Sequence, residues 1–168
     1  EAKNPEPPKA TPEKLIDDPI VEAAIREELE KPTGELTEAD YEKATSLGLG
    51  YKQLTNVKGL EKLRQLERLS LGKNQLTDVK GLEKLTKLKQ LYLHDNQLTE
   101  VPKGLEKLKQ LTFLRLEGNK LSDVKTLAKL TQLKMLWLTG NQAITKAQIA
   151  ELQKALPKFN IQHHTATK

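Results

Sequence analysis

The sequence predicts an α/β solenoid, a single curved layer made by one turn of chain repeated several times. Two observations carry this: the middle of the chain repeats itself every 22 residues, once 23, and leucines within each unit stand two apart at one phase and three apart at the next. A third supports it. Hydrophobic residues make up 36% of the 168 and aromatics 4%, too lean for an ordinary globular core unless leucine recurs with this regularity.

The elements follow in chain order. Residues 1–16 are proline-rich, with Pro5, Pro7, Pro8 and Pro12, and read as an extended linker. Residues 17–43 form a helical cap. Asp17, Asp18 and Pro19 supply an N-cap and a first-turn proline, and Ile20, Val21, Ala24, Ile25 and Leu29 recur at helical spacing until Pro32 and Gly34. A shorter helix starts at Thr37, whose hydroxyl can cap the amide of Asp40, and carries Ala39, Tyr41 and Ala44 inward.

Residues 44–142 are the repeats, as units 44–65, 66–87, 88–110, 111–132 and 133–142. In each, an LxxLxL segment places pairs such as Leu69 and Leu71, or Leu114 and Leu116, at the period of a strand with one buried face. Five parallel strands are expected on the concave face. The stretch after each strand (Val79, Leu82, Leu85) suits tight helical turns, so the strand side is the narrower and the stack curves. Asn74, Asn96, Asn119 and Asn141 share one phase, where a short amide can donate to and accept from backbone left open as the strand turns away. This predicts a structural asparagine ladder. Lys52 holds that phase in the first unit, so the ladder starts one repeat late.

Residues 143–168 are expected to be a C-terminal helical cap and a polar tail. Thr145 with Gln148 makes a capping box, and Pro157 ends the helix. Terminal units of a solenoid must differ from the rest, because an uncapped end leaves an apolar edge wet.

The pattern LxxLxLxxNxLxxVxxLxxL resembles the short bacterial leucine-rich repeat, and the helix, polar turn and helix in PIVEAAIREELEKPTGELTEADYEKATSL resemble the cap of the internalins. The resemblance covers residues 18–156 and implies a leucine-rich repeat solenoid, a right-handed horseshoe segment. Internalins are exported, surface-displayed binders of host proteins. The resemblance, the proline-rich start and a first residue Glu1 instead of methionine together imply an exported location, in the cell envelope or outside it, with the cytoplasm left open.

Composition narrows the function further. There is no cysteine, hence no disulfide, thiolate zinc site or cysteine nucleophile. No apolar run is long enough for a transmembrane helix. No glycine-rich phosphate loop and no metal-ligand spacing occurs, so neither enzyme nor cofactor is expected, and the oligomeric state stays open. Residues 1–42 hold 5 basic and 13 acidic side chains and the remainder 23 and 10, so the cap and the repeats differ in charge.

The residues between the strand leucines point outward in two rows: Ser46, Arg68, Gln90, Phe113, Met135, and Gly48, Ser70, Tyr92, Arg115, Trp137. Of six aromatic residues, Tyr51, Tyr92, Phe113 and Trp137 fall at such exposed positions. Strands lie roughly 4.8 Å apart, so Tyr92, Phe113, Arg115, Met135 and Trp137 should form one patch, with Arg115 between two rings. Aromatic, arginine and methionine side chains are enriched in interface hot spots. The patch is expected to bind a protein or peptide, with Arg68, Gln90, His94 and Glu117 as partner-binding rim. A glycan would also suit stacked rings. The competing structural reading is that large strand side chains only cover the sheet and pack on one another.

His94 and Glu117 share a phase on neighbouring strands and could form a surface pair, or the minimum for acid–base work. His163 and His164 lie in the polar tail, without a ligand set around them. On the turn side Lys58, Lys62, Lys80, Lys84, Lys103, Lys107, Lys125 and Lys129 recur, interleaved with Glu61, Glu83 and Glu106. The alternative function is therefore attachment to an anionic surface (glycan, lipid headgroup or nucleic acid) through this lysine-rich convex side. Nucleic acid is the weakest of these, since the aromatics that would stack on bases face the other way.

Overall fold

A computed structural model of the chain describes residues 16–158 and 161–163. The proline-rich start as far as residue 15, His164 and the end of the tail lie outside the described residues.

The chain opens with helix α1 (Pro19–Glu28), capped by the Asp18 carboxylate, which accepts from the Ile20 and Val21 amides at 2.8 and 3.3 Å. Val21 and Ile25 are its buried face. Ile16, which sequence alone places in the lead-in, is 1% exposed and packs over Gly59 of the first repeat. Helix α2 (Glu38–Tyr41) begins with a capping box formed by Thr37 and Asp40. Asp40 also holds Lys31 at 2.7 Å, and that ammonium keeps its carboxyl well below the usual carboxylate range.

Strands β1 (Ser46–Gly48), β2 (Arg68–Ser70), β3 (Gln90–Tyr92), β4 (Phe113–Arg115) and β5 (Met135–Trp137) then pair in parallel, in chain order. Leu47, Leu69, Leu91, Leu114 and Leu136 occupy one register line and are all buried. Each such leucine contributes roughly 1.5–3 kcal/mol relative to an exposed one. Three-residue 3-10 turns, Leu60–Lys62, Leu82–Lys84 and Leu105–Lys107, form the opposite side, each preceded by a glycine with φ between +83° and +104°. The fourth unit has Thr126 at that glycine's place. A β-branched residue does not take a left-handed backbone at low cost, and there the 3-10 segment begins earlier and runs Lys125–Lys129.

The four asparagines are 2–6% exposed, and each joins its own repeat to the one before. Asn96 Oδ1 accepts from the Leu76 amide at 3.0 Å, while its Nδ2 donates to the carbonyls of Leu71 and Leu93 at 2.9 and 3.1 Å. Asn119 and Asn141 repeat this one and two units on. Asn74 accepts from both Lys52 and Leu54, so the first unit, which has Lys52 at the ladder phase, is served by the next.

Helix α3 (Lys146–Ala155) starts with the Thr145–Gln148 capping box and buries Ile149 and Leu152. The sheet has six strands where five were expected. After Pro157 the chain turns back as β6 (Ile161–Gln162) and pairs in parallel with β5, placing Ile161 at 3% exposure beside Leu136. Part of the expected polar tail thus covers a sheet edge, which lowers the number of strand groups left without hydrogen bonds.

Candidate functional site

Parallel pairing in register fixes the outward rows. Gln90, Phe113 and Met135 align across β3 to β5, and Tyr92, Arg115 and Trp137 align two residues on. The rings meet diagonally between the rows: Tyr92 and Phe113 lie 5.1 Å apart by centroid, and Phe113 and Trp137 4.6 Å, both tilted by about 40°. Tyr92, Phe113 and Trp137 are each partly buried by this contact, whereas Met135 at the row's end is 43% exposed.

Arg115 differs from the sequence expectation. The ring with a neighbour on each side is Phe113; Arg115 has Trp137 5.9 Å from its guanidinium carbon and is otherwise turned toward Glu117. Its Nε donates to Glu117 Oε1 at 2.6 Å, and a terminal nitrogen donates to the same oxygen. The cause is the two-residue spacing along one strand direction, which brings guanidinium and carboxylate to the same face.

His94 and Glu117 are neighbours in the sheet but are not joined by a hydrogen bond. His94 Nδ1 and Glu117 Oε2 are buried atoms without hydrogen-bond partners. Burial, and then the Arg115 charge, hold the imidazole below its ordinary range. The imidazole and the arginine-held carboxylate are therefore not joined as an acid–base pair. Among the described residues, no group of three or more His, Asp or Glu could hold a metal ion.

On the other side of the rings, Gln90 Oε1 accepts both from Arg68 Nε at 3.0 Å and from the Tyr92 hydroxyl at 3.1 Å. The amide ties an exposed cation to the aromatic row. At the rim of that end, Lys73 Nζ lies 4.8 Å from the Tyr51 ring centre, and Tyr51 holds this ammonium above its usual range.

Three features escaped the sequence. Gly72 seats His94, since a Cβ there would fall 2.1 Å from the ring. Gly118 likewise leaves room for Asp95 Oδ1. The third is a groove of about 480 Å³ on the turn side, bordered by Val79, Val101 and Pro102, where the 23-residue unit carries its extra residue. The lone 23 in the period was the available signal for it. Along this side the Glu61 and Glu83 carboxylates accept from the Gly59 and Gly81 amides at 2.8 Å.

A family model described as Leucine Rich repeats (2 copies) matches residues 64–107, 86–129 and 109–154, more than half of the chain. The chain belongs to the leucine-rich repeat family. Its fold is similar to that of two internalins from Listeria monocytogenes. For InlF the TM-score is 0.78 at 27% identity, covering 91% of this chain and 46% of that one. For InlC2 it is 0.79 at 27% identity, covering 91% and 68%. A leucine-rich repeat protein of Leptospira interrogans gives 0.67 at 28% identity, covering 76% and 34%. No curated protein matches the sequence significantly. The chain is thus a leucine-rich repeat protein with an internalin-like fold, spanning about half the length of InlF. Leucine-rich repeat proteins of this type are generally protein-interaction modules and typically non-enzymatic. Among the described residues no helix is long and apolar enough to cross a membrane.

Proposed function

We propose that the chain is a non-enzymatic binding module that recognises a protein or peptide on its concave face. The contact residues are Tyr92, Phe113, Arg115, Met135 and Trp137, with Arg68, Gln90, His94 and Glu117 around them. The observation that carries this reading is the ring row itself: three aromatic side chains packed on one another yet partly open to solvent, continued by Met135 at 43% exposure. A leucine core stands complete beneath them, so the rings are surplus to its closure. Rings immobilised by their neighbours lose little entropy on binding, which favours affinity. The internalin likeness supports an exported location for this activity.

The test is capture of partners from a host-cell extract by wild type beside the Phe113→Ala, Trp137→Ala double variant, each of verified fold, at about 0.1 and 0.5 M salt. Apolar contact survives the higher salt, and capture should vanish in the variant alone. Capture indifferent to the variant and lost only with salt would overturn this reading in favour of the lysine-rich turn side.

A further inference from the structure

Charge on the strand face is not evenly settled. Glu67, next to Arg68 in the chain, is paired with Lys89 at 2.8 Å, and Glu117 is held by Arg115, so each of these two carboxylates has a cation. Arg68 is different. Its Nε is bound to a neutral amide oxygen, Gln90 Oε1, and among the described residues no carboxylate pairs with its guanidinium. Because Gln90 is also tied to the Tyr92 hydroxyl, the guanidinium is oriented relative to the aromatic row, and its terminal nitrogens remain as a planar fork.

The floor beside this fork is low. Ser46, Gly48 and Ser70 carry small or no side chains on β1 and β2, and a Cβ added at Gly48 would meet nothing within 4 Å. Lys73 adds a second cation at the rim, held over the Tyr51 ring and also within reach of the Asp95 charge. The Glu28 carboxylate accepts from the Ser46 amide at 3.1 Å on β1, and the face steps from a shallow hollow bordered by Arg68 to a raised aromatic wall over β3 to β5.

We infer that the concave face takes an extended acidic peptide segment, with one carboxylate on the Arg68 guanidinium and a large apolar side chain about three residues away on the Phe113-centred rings. This rests on the concave-face reading above. The spacing follows from the fold: Arg68 and Phe113 lie two strands apart in one register row, roughly 10 Å, and a segment extended as polyproline II advances about 3.1 Å per residue with three residues per turn, so side chains three apart face the same way. The carboxylate is matched by a fork of two parallel donors, and the apolar residue by the exposed faces of the rings and Met135.

Trp137 is the single tryptophan of the chain, so its emission reports on the site directly. The experiment titrates the 168-residue chain with tryptophan-free ten-residue peptides: one with Glu and Phe separated by two serines, one with Lys for Glu, one with Ser for Phe, and one with the pair moved to opposite ends. Arg68→Gln protein and a neutral glucan hexamer complete the series. The expected result is saturable change in Trp137 emission with the first peptide, weakened at least about tenfold by each alteration and by Arg68→Gln. Equal binding of the Lys peptide, or no effect of Arg68→Gln, would overturn the acidic segment while leaving the ring face as binding surface. Stronger binding of the glucan, or no response to any peptide, would overturn it as well, and the capture experiment then decides the ring face separately.

Discussion

His94 owes its position to an absence one strand away. Gly72 has no Cβ, and the imidazole fills that space; an added methyl would lie within 2.1–2.6 Å of three ring atoms. Gly72→Ala should therefore destabilise the protein by about 1–3 kcal/mol, and His94→Ala in the same chain should recover most of it. Urea midpoints of the two single variants and the double variant measure this, and additive losses would contradict it. The same burial has a pH consequence. With its folded-state value depressed, His94 binds a proton less readily folded than unfolded, so stability rises with pH across that interval. The contribution is present above the unfolded value, about 6.5, and is lost as pH falls below it. Between about pH 7.5 and 5.5 the Tm of wild type should fall further than that of His94→Asn, and equal falls would contradict the assignment.

At the scale of elements, the asparagine ladder couples neighbours more than it serves any one unit. Asn96 joins Leu76 of the second repeat to Leu93 of the third, and its removal leaves buried backbone groups of both without partners. Asn96→Ala should cost about 2–4 kcal/mol, read as a lower urea midpoint at unchanged slope; a loss below about 0.5 kcal/mol would mean water replaces the amide. The ladder phase was legible because one residue type recurs every 22 or 23 positions. Both capping boxes were legible for a like reason, since Thr37 with Asp40 and Thr145 with Gln148 are local patterns. Strand β6 was not. It hangs on Ile161 set among polar neighbours, a two-residue segment whose partner β5 lies more than twenty residues earlier. The early start of the fourth 3-10 segment depends on Thr126 for glycine, a single change that a hydrophobic pattern does not register.

For the whole molecule, the solenoid sorts its side chains by direction: leucines inward, lysines to the turns, aromatics to the strands. The period alone specifies that sorting, so the rows of the concave face could be written down from sequence. What could not be read was how long side chains lean within them. Arg115 left the rings for Glu117, Phe113 took the central place, and Gln90 joined Arg68 to Tyr92. Those choices depend on distances of a few ångströms between strands, which register does not fix. The result is a face with a packed aromatic end and a small-floored end bordered by Arg68, on a scaffold whose core is closed without it.

Acrylamide quenching of Trp137 emission, with and without the partner retained in the capture experiment, tests the central claim most directly, because this one indole sits at the end of the ring row. If the partner docks on the concave face, quenching should fall severalfold in the complex and the emission should shift to the blue as water leaves the rings. Unchanged quenching in a complex shown to be fully formed would put the partner elsewhere and contradict the account.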